Sequence, residues 1–267
     1  MHDADSASEW MDATVAAIRD ETKNVKTFKL LPAEERTFVP GQYVLVAQPG
    51  LRSAPMAIAS GTQGEHLELT VRRTGELTES LFARGPGDVI RVSGPLGRGF
   101  PLERAGEGRP LYLLAGGTGI APVRSLILTL AAAGDTAQDM HLFYGCRDPG
   151  DIIYQSEIET WPVRAHVTVD TVDVPGTVVD VPGTVDVSDA TWTGLRGNVG
   201  DALDQVVWRQ DGLVFACGPE LMEKAVVAAV RQRGLSPENI FVSLERFDGA
   251  GKVLGPVLPV SDPRVGF

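Results

Sequence analysis

The chain has 267 residues, of which 43% are hydrophobic and 22% charged, a composition typical of a globular protein that buries its own core. Its net charge of −11 at pH 7 argues against binding to nucleic acids or anionic membranes, because a negative field repels phosphate groups. No apolar run reaches the roughly 18 residues of a membrane span, the start is acidic, and the two cysteines leave at most one disulfide, so we expect a cytoplasmic protein.

The first half of the chain predicts strands. Residues 1–11 are polar and are predicted to be disordered. Residues 12–103 contain short β-branched segments separated by turn residues, a spacing that predicts an antiparallel barrel or sandwich. The predicted strands cover 13–18, 26–31, 43–47, 56–59, 66–71 and 88–92, with one helical turn at 77–83.

The second half predicts alternating strands and helices, beyond a glycine-rich, charged connector at 103–109. Such alternation is typical of a doubly wound parallel sheet, here over 110–246, with a tail at 247–267. Residues 172–178 recur unchanged at 179–185, which we interpret as a duplication tolerated in a surface loop. The predicted strands cover 110–115, 140–144, 165–172, 213–216 and 240–244, and the predicted helices cover 122–133, 154–161, 201–208 and 220–233.

Two loops at predicted strand ends carry the strongest chemical signals. In 114–122 a hydrophobic strand enters a glycine cluster and a helix opens behind it, so the backbone can approach a ligand and the helix start favours a phosphate. In 216–222, Cys217 ends a strand before another helix. Ligands bind where such strands end, so the two loops together predict a dinucleotide site. The alternatives are ordinary strand–helix turns and a buried structural cysteine.

The barrel half offers two weaker candidates. The apolar residues 54–60, which follow Pro-Gly-Gln-Tyr-Val at 40–44, have backbone groups suited to a flat heteroaromatic ring. Residues 71–78 bring a glycine, a hydroxyl and two arginines to a helix start, which predicts a second phosphate site or an ordinary capped helix. No P-loop, nucleophile elbow or metalloprotease motif is present, and we predict no metal site. The four histidines are scattered, and we interpret the two on apolar strands, His141 and His166, as packed residues.

Seven motifs in order make the chain resemble the ferredoxin–NADP reductase superfamily over residues 12–246. They are PGQYV at 40–44, APMAIAS at 54–60, GELT at 75–78, GPLGRGFP at 94–101, GGTGIAP at 116–122, YGCR at 144–147 and CGPELM at 217–222. The Ala-Pro start at 54–55, GPLGRGFP and the ending VSLER at 242–246 are similar to hydrogenase gamma subunits and to the electron-transfer subunit of class B dihydroorotate dehydrogenase. The resemblance implies an antiparallel FAD-binding barrel over 12–103 and a doubly wound NAD(P)-binding domain over 110–246.

The resemblance also implies the cofactors and the residues that hold them. FAD is expected on Met56, Ala57, Ile58, Ala59, Ser60, Val71, Gly75, Leu77 and Thr78. The nicotinamide nucleotide is expected on Gly117, Thr118, Gly119, Ile120, Tyr144, Arg147, Asp148, Cys217, Gly218, Pro219 and Glu220. Arg147 suits the 2′-phosphate of NADPH and Asp148 repels it, and on balance we lean to NADH.

Three positions bear on catalysis under this resemblance. Ala57 replaces a serine whose hydroxyl lies near the reactive flavin nitrogen in relatives. Cys217 is expected beside the nicotinamide, as an element of positioning or polarity rather than a nucleophile. Glu245 is an acid/base group or a capped strand end. The branch carries four cysteines after the VSLER ending, whereas 247–267 have none, so we expect no iron–sulfur cluster.

The sequence therefore predicts an FAD-dependent NAD(P)H oxidoreductase that passes electrons to a redox partner protein or a small-molecule acceptor. One alternative is a flavoprotein of the same fold that keeps FAD as a scaffold or for a non-redox reaction, as Ala57 and the altered tail suggest. Another is a binding subunit of a larger complex.

Overall fold

A computed structural model describes residues 9–105, 108–134, 139–170, 192–243, 246–247, 253–254, 257–263 and 265–266. The predicted duplication at 172–185, Glu245 and the first eight residues lie outside the described residues. Within the described part, a six-stranded antiparallel sheet precedes a seven-stranded, mostly parallel one, which confirms the predicted fold class. Among these residues, no helix is both long and apolar enough to cross a bilayer.

The N-terminal sheet is a barrel. Its strands are β1 Met11–Thr22, β2 Val25–Pro32, β3 Tyr43–Ala47, β4 Ala54–Ala57, β5 Leu67–Arg72 and β6 Val89–Leu96. They pair in the order β4-β3-β6-β1-β2-β5, and a bridge between Ile58 and Leu69 joins the two outer ends. Burial alternates along the start of β1, because successive side chains of a strand point to opposite faces. A short helix, α1 Glu76–Phe82, packs its two buried leucines into the barrel core.

The C-terminal sheet is built around a fully buried strand. Its strands are β7 Leu111–Gly116, β8 Met140–Cys146, β9 Arg164–Val169, β10 Leu195–Arg196, β11 Leu213–Cys217 and β12 Ile240–Ser243; after β13 Arg246–Phe247 and β14 Val253–Leu254, which pair with each other, comes β15 Val257–Pro259. The order is β10-β9-β8-β7-β11-β12-β15, parallel except for β15. Every residue of the central β7 is buried, as expected for a parallel strand covered on both faces.

The helices differ from the predicted ones mainly in length. They are α2 Leu102–Ala105, α3 Ile120–Ala132, α4 Gln155–Ile158 and α5 Glu220–Gln232. The helix predicted over 154–161 contains only one α-helical turn, and Tyr154, directly before it, adopts a left-handed conformation with φ of 59°. The helix predicted over 201–208 is a 3-10 helix over Val199–Gln205, which starts where the Asn198 side chain accepts a hydrogen bond from the Gly200 N–H.

The last described strand ties part of the predicted tail to the sheet. β15 pairs antiparallel with β12, and Pro259 lies opposite Phe241. Val257 also approaches the barrel, because a Cβ atom built on Gly41 would lie 3.0 Å from its Cγ2 methyl. Gly41 has a φ of +94°, a conformation that favours glycine, so the turn and the close approach coincide.

Candidate functional site

A cleft of about 690 Å³ opens at the carboxyl ends of the parallel strands. This is the edge of a doubly wound sheet at which ligands bind. The cleft brings together most of the residues that the sequence predicted for a nicotinamide nucleotide, although they lie far apart along the chain. Those that line it are Gly117, Thr118, Gly119, Arg147, Asp148, Cys217, Gly218, Pro219 and Glu220.

The two predicted loops contact each other at the floor of this cleft. A Cβ atom on Gly119 would lie 2.6 Å from the carbonyl carbon of Cys217, and closer still to its oxygen. A Cβ atom on Gly116 would lie 2.5 Å from the sulfur of Met222. Gly117 has a φ of +54°, which side chains rarely tolerate. The glycines therefore allow the loop after β7 to pack directly against the loop after β11.

Both cysteines line the cleft and both are buried, Cys146 at the end of β8 and Cys217 at the end of β11. Burial raises the pKa of Cys146 to about 12, against the smaller opposing effect of its Tyr144 hydrogen bond, so its thiol is protonated at neutral pH. Cys217 is 1% exposed at the end of β11, opposite Ala115 of β7. A buried thiol is a poor nucleophile, so these positions suit packing against a ligand rather than covalent chemistry.

Charged side chains of both signs line the cleft, among them Arg147, which precedes Asp148, and Glu220 at the start of α5. Three carboxylates, those of Asp148, Asp151 and Asp170, line it near the ends of β8 and β9. Asp148 also caps the 3-10 turn at Pro149–Asp151, since its Oδ1 accepts a hydrogen bond of 2.9 Å from the Gly150 N–H. These three carboxylates therefore occupy one region of the lining.

Basic groups from the barrel complete the lining; the sequence analysis did not assign them to this cleft, although Arg72 belongs to the 71–78 segment predicted as a second phosphate site. Lys23 lies in the turn between β1 and β2, and Arg72 ends β5. An Arg72 guanidinium nitrogen lies 3.6 Å from the point where a Cβ atom on Gly117 would be. No local pattern assigns such residues to the cleft, because only the packing of barrel against sheet brings them there. Asp170, also missed, did carry a signal, since polar residues at parallel strand ends often meet ligands.

Two residues predicted for the nucleotide, Tyr144 and Ile120, have side chains buried in the core, so any contact with a nucleotide is left to their backbone atoms. The side chain of Tyr144 is fully buried and its hydroxyl accepts a hydrogen bond of 3.2 Å from the Ile153 N–H. Burial also raises the pKa of Tyr144 well above its usual value. Ile120 is likewise fully buried in the same core cluster. The three residues that follow Tyr144 along the chain, Gly145, Cys146 and Arg147, line the cleft.

The residues predicted for the flavin ring form a separate group around the end of β4, and none of them is among the described residues that line the cleft. Ala57 is partly exposed and pairs with Tyr43 of β3. Beyond it, Ile58 donates its N–H to the Gln42 carbonyl and Ala59 donates to the Glu68 carbonyl. Met56, Ile58, Ala59 and Ser60 have buried side chains. Their contribution to a flavin site is therefore limited to backbone atoms and to the surface at Ala57.

The residues predicted for the flavin pyrophosphate surround the start of α1. Gly75 is exposed, and a Cβ atom there would meet nothing within 4 Å. The Thr78 Oγ1 accepts hydrogen bonds from the Thr74 and Gly75 N–H groups, at 2.8 and 3.0 Å. Leu77 is buried in the barrel core, as is Val71 at the end of β5. The surface at Gly75 is open, the first turn of α1 carries the acidic Glu76 and Glu79, and Thr78 caps the helix as the simpler interpretation of this motif predicts.

Comparisons with known proteins agree with this architecture. Residues 113–228 match the family model described as an oxidoreductase NAD-binding domain. The chain is 32% identical to the gamma subunit of sulfhydrogenase 2 from Pyrococcus furiosus over 88% of this chain and 83% of that protein. It is 30% identical to the probable dihydroorotate dehydrogenase B (NAD(+)) electron transfer subunit of the same organism, over 91% and 84% of the two chains.

Solved structures show the same fold. The cytochrome P450 reductase of Amycolatopsis aligns with a TM-score of 0.72 and 27% identity, over 87% of this chain and 68% of that one. A ferredoxin NADP+ reductase from Neisseria gonorrhoeae with bound FAD and NADP aligns with a TM-score of 0.68 and 16% identity, over 92% and 98%.

A barrel beside a parallel sheet, with a glycine-lined cleft at the sheet's carboxyl edge, defines a reductase fold that pairs a flavin with a nicotinamide nucleotide. The chain belongs to the ferredoxin–NADP reductase superfamily, in the branch of the hydrogenase gamma and dihydroorotate dehydrogenase electron-transfer subunits. This family carries out NAD(P)H- and flavin-dependent electron transfer.

Proposed function

We propose that this chain oxidises NADH through bound FAD and delivers the electrons to a redox partner protein. The observation that carries the proposal is the cleft, which joins the glycine loop Gly117–Gly119 to the Cys217 loop at the carboxyl edge of the sheet. A dinucleotide has two riboses and a diphosphate, and this lining offers carboxylates for ribose hydroxyl groups, a glycine loop that a phosphate can approach, and the Arg72 guanidinium beside that loop.

The charges of the cleft favour NADH over NADPH. Asp148 and Asp170 provide acceptors for ribose hydroxyl groups, and both carboxylates would repel the 2′-phosphate of NADPH. Arg147 lies among them and is the group that opposes this preference. Lys23 and Arg72 supply positive charge to the cleft from the barrel side. Arg72 lies next to the glycine loop, where the diphosphate is expected.

The barrel offers separate surfaces for the flavin ring and for the pyrophosphate of FAD. The surface at Ala57 would receive the flavin ring, and the open start of α1 at Gly75 and Thr78 would receive the pyrophosphate. When bound, FAD supplies a two-electron acceptor, at whose N5 the hydride from C4 of NADH adds, leaving NAD+. The protein contributes alignment and exclusion of water.

Two positions set the surroundings of the transfer. Cys217 is buried where the two loops meet, so its side chain would pack beside the nicotinamide without taking part in bond formation. Ala57 presents a methyl group where relatives present a hydroxyl. We therefore expect hydride transfer to depend on positioning rather than on a hydrogen bond from this residue.

Electrons are proposed to leave directly from the flavin. The sequence contains two cysteines, both buried in the cleft wall, whereas a two-iron cluster of this branch takes four thiolates. The gamma and electron-transfer relatives are subunits by name, which supports a partner protein as the acceptor. A small-molecule acceptor is the second outcome that the experiment below distinguishes.

The test is anaerobic stopped-flow absorbance of the FAD-loaded protein mixed with NADH and, separately, with NADPH. We expect rapid loss of the oxidised-flavin band with NADH and at least a tenfold slower loss with NADPH. Asp170→Asn should narrow that ratio, whereas the control Asp20→Asn, at an exposed carboxylate of β1, should leave it unchanged. Bound FAD that neither nucleotide bleaches would refute the proposal and favour a non-redox flavoprotein. Adding ferredoxin, a quinone or oxygen to the reduced protein then identifies the acceptor class.

A further inference from the structure

A buried cluster of charged and aromatic side chains joins the barrel to the C-terminal sheet, away from the cleft. At its centre is Arg124 of α3, whose side chain is 7% exposed. Burying a guanidinium is costly unless its donors are satisfied, and none of the motifs described above requires an arginine here. The burial of Arg124 therefore has to be explained by its contacts within this cluster.

Arg124 bridges three separate parts of the chain. Its Nη1 donates to the carbonyl oxygen of Ala59, at 2.9 Å, and to the carboxylate of Glu68, both in the barrel. Its Nε and Nη2 donate to the two carboxylate oxygens of Glu157 in α4, at 2.6 and 3.2 Å. The planar fork of a guanidinium can satisfy these acceptors simultaneously, whereas a lysine ammonium cannot reproduce the geometry.

Tyr154 adds a second bridge beside the first. Guanidinium carbons of Arg124 and Arg19 lie over its ring, 4.9 and 5.8 Å from the centroid. Its hydroxyl forms a hydrogen bond with Thr70 Oγ1 of β5, and its N–H donates to Glu21 of β1 at 3.1 Å. Tyr154 holds a left-handed backbone conformation that is unfavourable for a bulky residue, and these barrel contacts compensate for it.

The helix that carries Arg124 connects the two proposed cofactor sites. α3 begins directly after the loop Gly117–Gly119, which is the proposed nucleotide loop. Its later turns pack on residues 59–62, where the Thr62 N–H donates to Thr129 Oγ1 at 3.1 Å. Residues 59–62 continue the strand that is proposed to hold the flavin ring. A shift of α3 against the barrel would therefore change the distance between nicotinamide and flavin.

From these contacts we infer that Arg124 is a positioning residue for hydride transfer: by fastening α3 to Ala59, Glu68 and Glu157, it fixes the nucleotide loop relative to the flavin strand. This inference rests on the proposed function. It assigns to the cluster a role in rate rather than in nucleotide affinity, because neither Arg124 nor Tyr154 lines the cleft.

The experiment compares wild type with Arg124→Lys, which keeps the charge but loses the fork, and with Tyr154→Phe, which loses only the hydroxyl. The matched control is Arg164→Lys on β9, where the arginine is 69% exposed. Stopped-flow at saturating NADH gives the limiting rate of flavin reduction. Dissociation constants for FAD and NADH, and the long-wavelength absorbance of the nicotinamide–flavin pair, are measured on the same samples.

We expect Arg124→Lys to lower the limiting rate at least about tenfold and to weaken the long-wavelength band, since misplacement by about 1 Å can cost a hundredfold. The dissociation constant for NADH should change less than threefold. Tyr154→Phe should act in the same direction more weakly, and the control should match wild type. An unchanged limiting rate in both variants, or a rate lost only in proportion to lost FAD, would overturn the inference.

Amide hydrogen exchange separates this inference from the proposed function. In Arg124→Lys, residues 59–62 and 117–124 should exchange faster than in wild type, and unchanged exchange would refute the positioning role whatever the activity. Failure of NADH to reduce the wild-type flavin refutes the proposed function instead, and the exchange data still decide whether Arg124 holds the two elements together.

Discussion

Replacing Gly119 with alanine tests the contact between the two loops most directly. The new methyl would lie 2.6 Å from the carbonyl carbon of Cys217, whereas ordinary van der Waals contact begins at 3.4 Å. The neighbouring atoms are backbone, so the side chain cannot turn away, and the loops must separate by at least about 0.8 Å. Overpacking of this kind costs about 1–3 kcal/mol of stability.

The two loops that would separate form the proposed nicotinamide site. We therefore expect the substitution to lower the rate of flavin reduction by more than it lowers the folding equilibrium constant. We expect Gly119→Ala to slow flavin reduction by NADH about ten- to a hundredfold, because alignment errors near 1 Å have costs of that order. FAD content should match wild type, since the predicted flavin residues belong to the barrel.

The assay is stopped-flow reduction combined with urea unfolding of the same preparations. Gly85→Ala is the matched control, because a Cβ atom there meets nothing within 4 Å. Wild-type reduction kinetics in a folded Gly119→Ala protein would refute the reasoning, since the loops would then not hold the nucleotide where they touch.

Three further outcomes are expected. Cys217→Leu should slow flavin reduction much more than it weakens FAD binding; equal damage to both, measured by stopped-flow and by FAD titration, would contradict a position beside the nicotinamide. Burial lowers the pKa values of His141 and His166, so the unfolded chain binds protons that the folded chain does not. The free energy of unfolding should therefore fall as pH drops through 6.5 and level off below the folded pKa values; urea unfolding at pH 7.5 and 5.5 checks this, and His166→Gln should reduce the difference. Trp208→Ala should cost about 2–3 kcal/mol in urea unfolding, because the indole packs 4.1 Å from the Tyr112 ring, while Val207→Ala, at a 93% exposed neighbour, should change stability by less than about 0.5 kcal/mol.

The sequence predicted the regular elements well where local patterns decide them. Alternation located the barrel strands, and the strand–glycine–helix pattern located α3 and α5. It overestimated the length of the helix over 154–161. Tyr154, predicted as its first residue, has a left-handed backbone conformation that depends on contacts to Glu21 and Thr70 in the barrel. Those partners are more than eighty residues away, so no window of sequence contains the cause.

The candidate site was predicted in its loops but not in its surroundings. Motif residues such as Gly119 and Cys217 line the cleft, since short-range geometry dictates where strand-end loops lie. The side chain of Tyr144 is buried, and a motif does not reveal which way each side chain of a doubly covered strand points. Lys23 and Arg124 lie in no predicted motif, and only the packing of barrel against sheet brings them to the cleft and to the interface, whereas Arg72 lies in the 71–78 segment.

The strand β15 also covers the edge of the sheet at β12 and so limits self-association through strand pairing. A sheet that ended at β12 would present a row of free N–H and C=O groups, which is a template for pairing with other chains. The outermost strand is instead short and contains Pro259, which has no N–H to donate. Deleting residues 257–259 should therefore promote concentration-dependent self-association, in addition to the stability lost with the buried Val257 and Leu258 side chains.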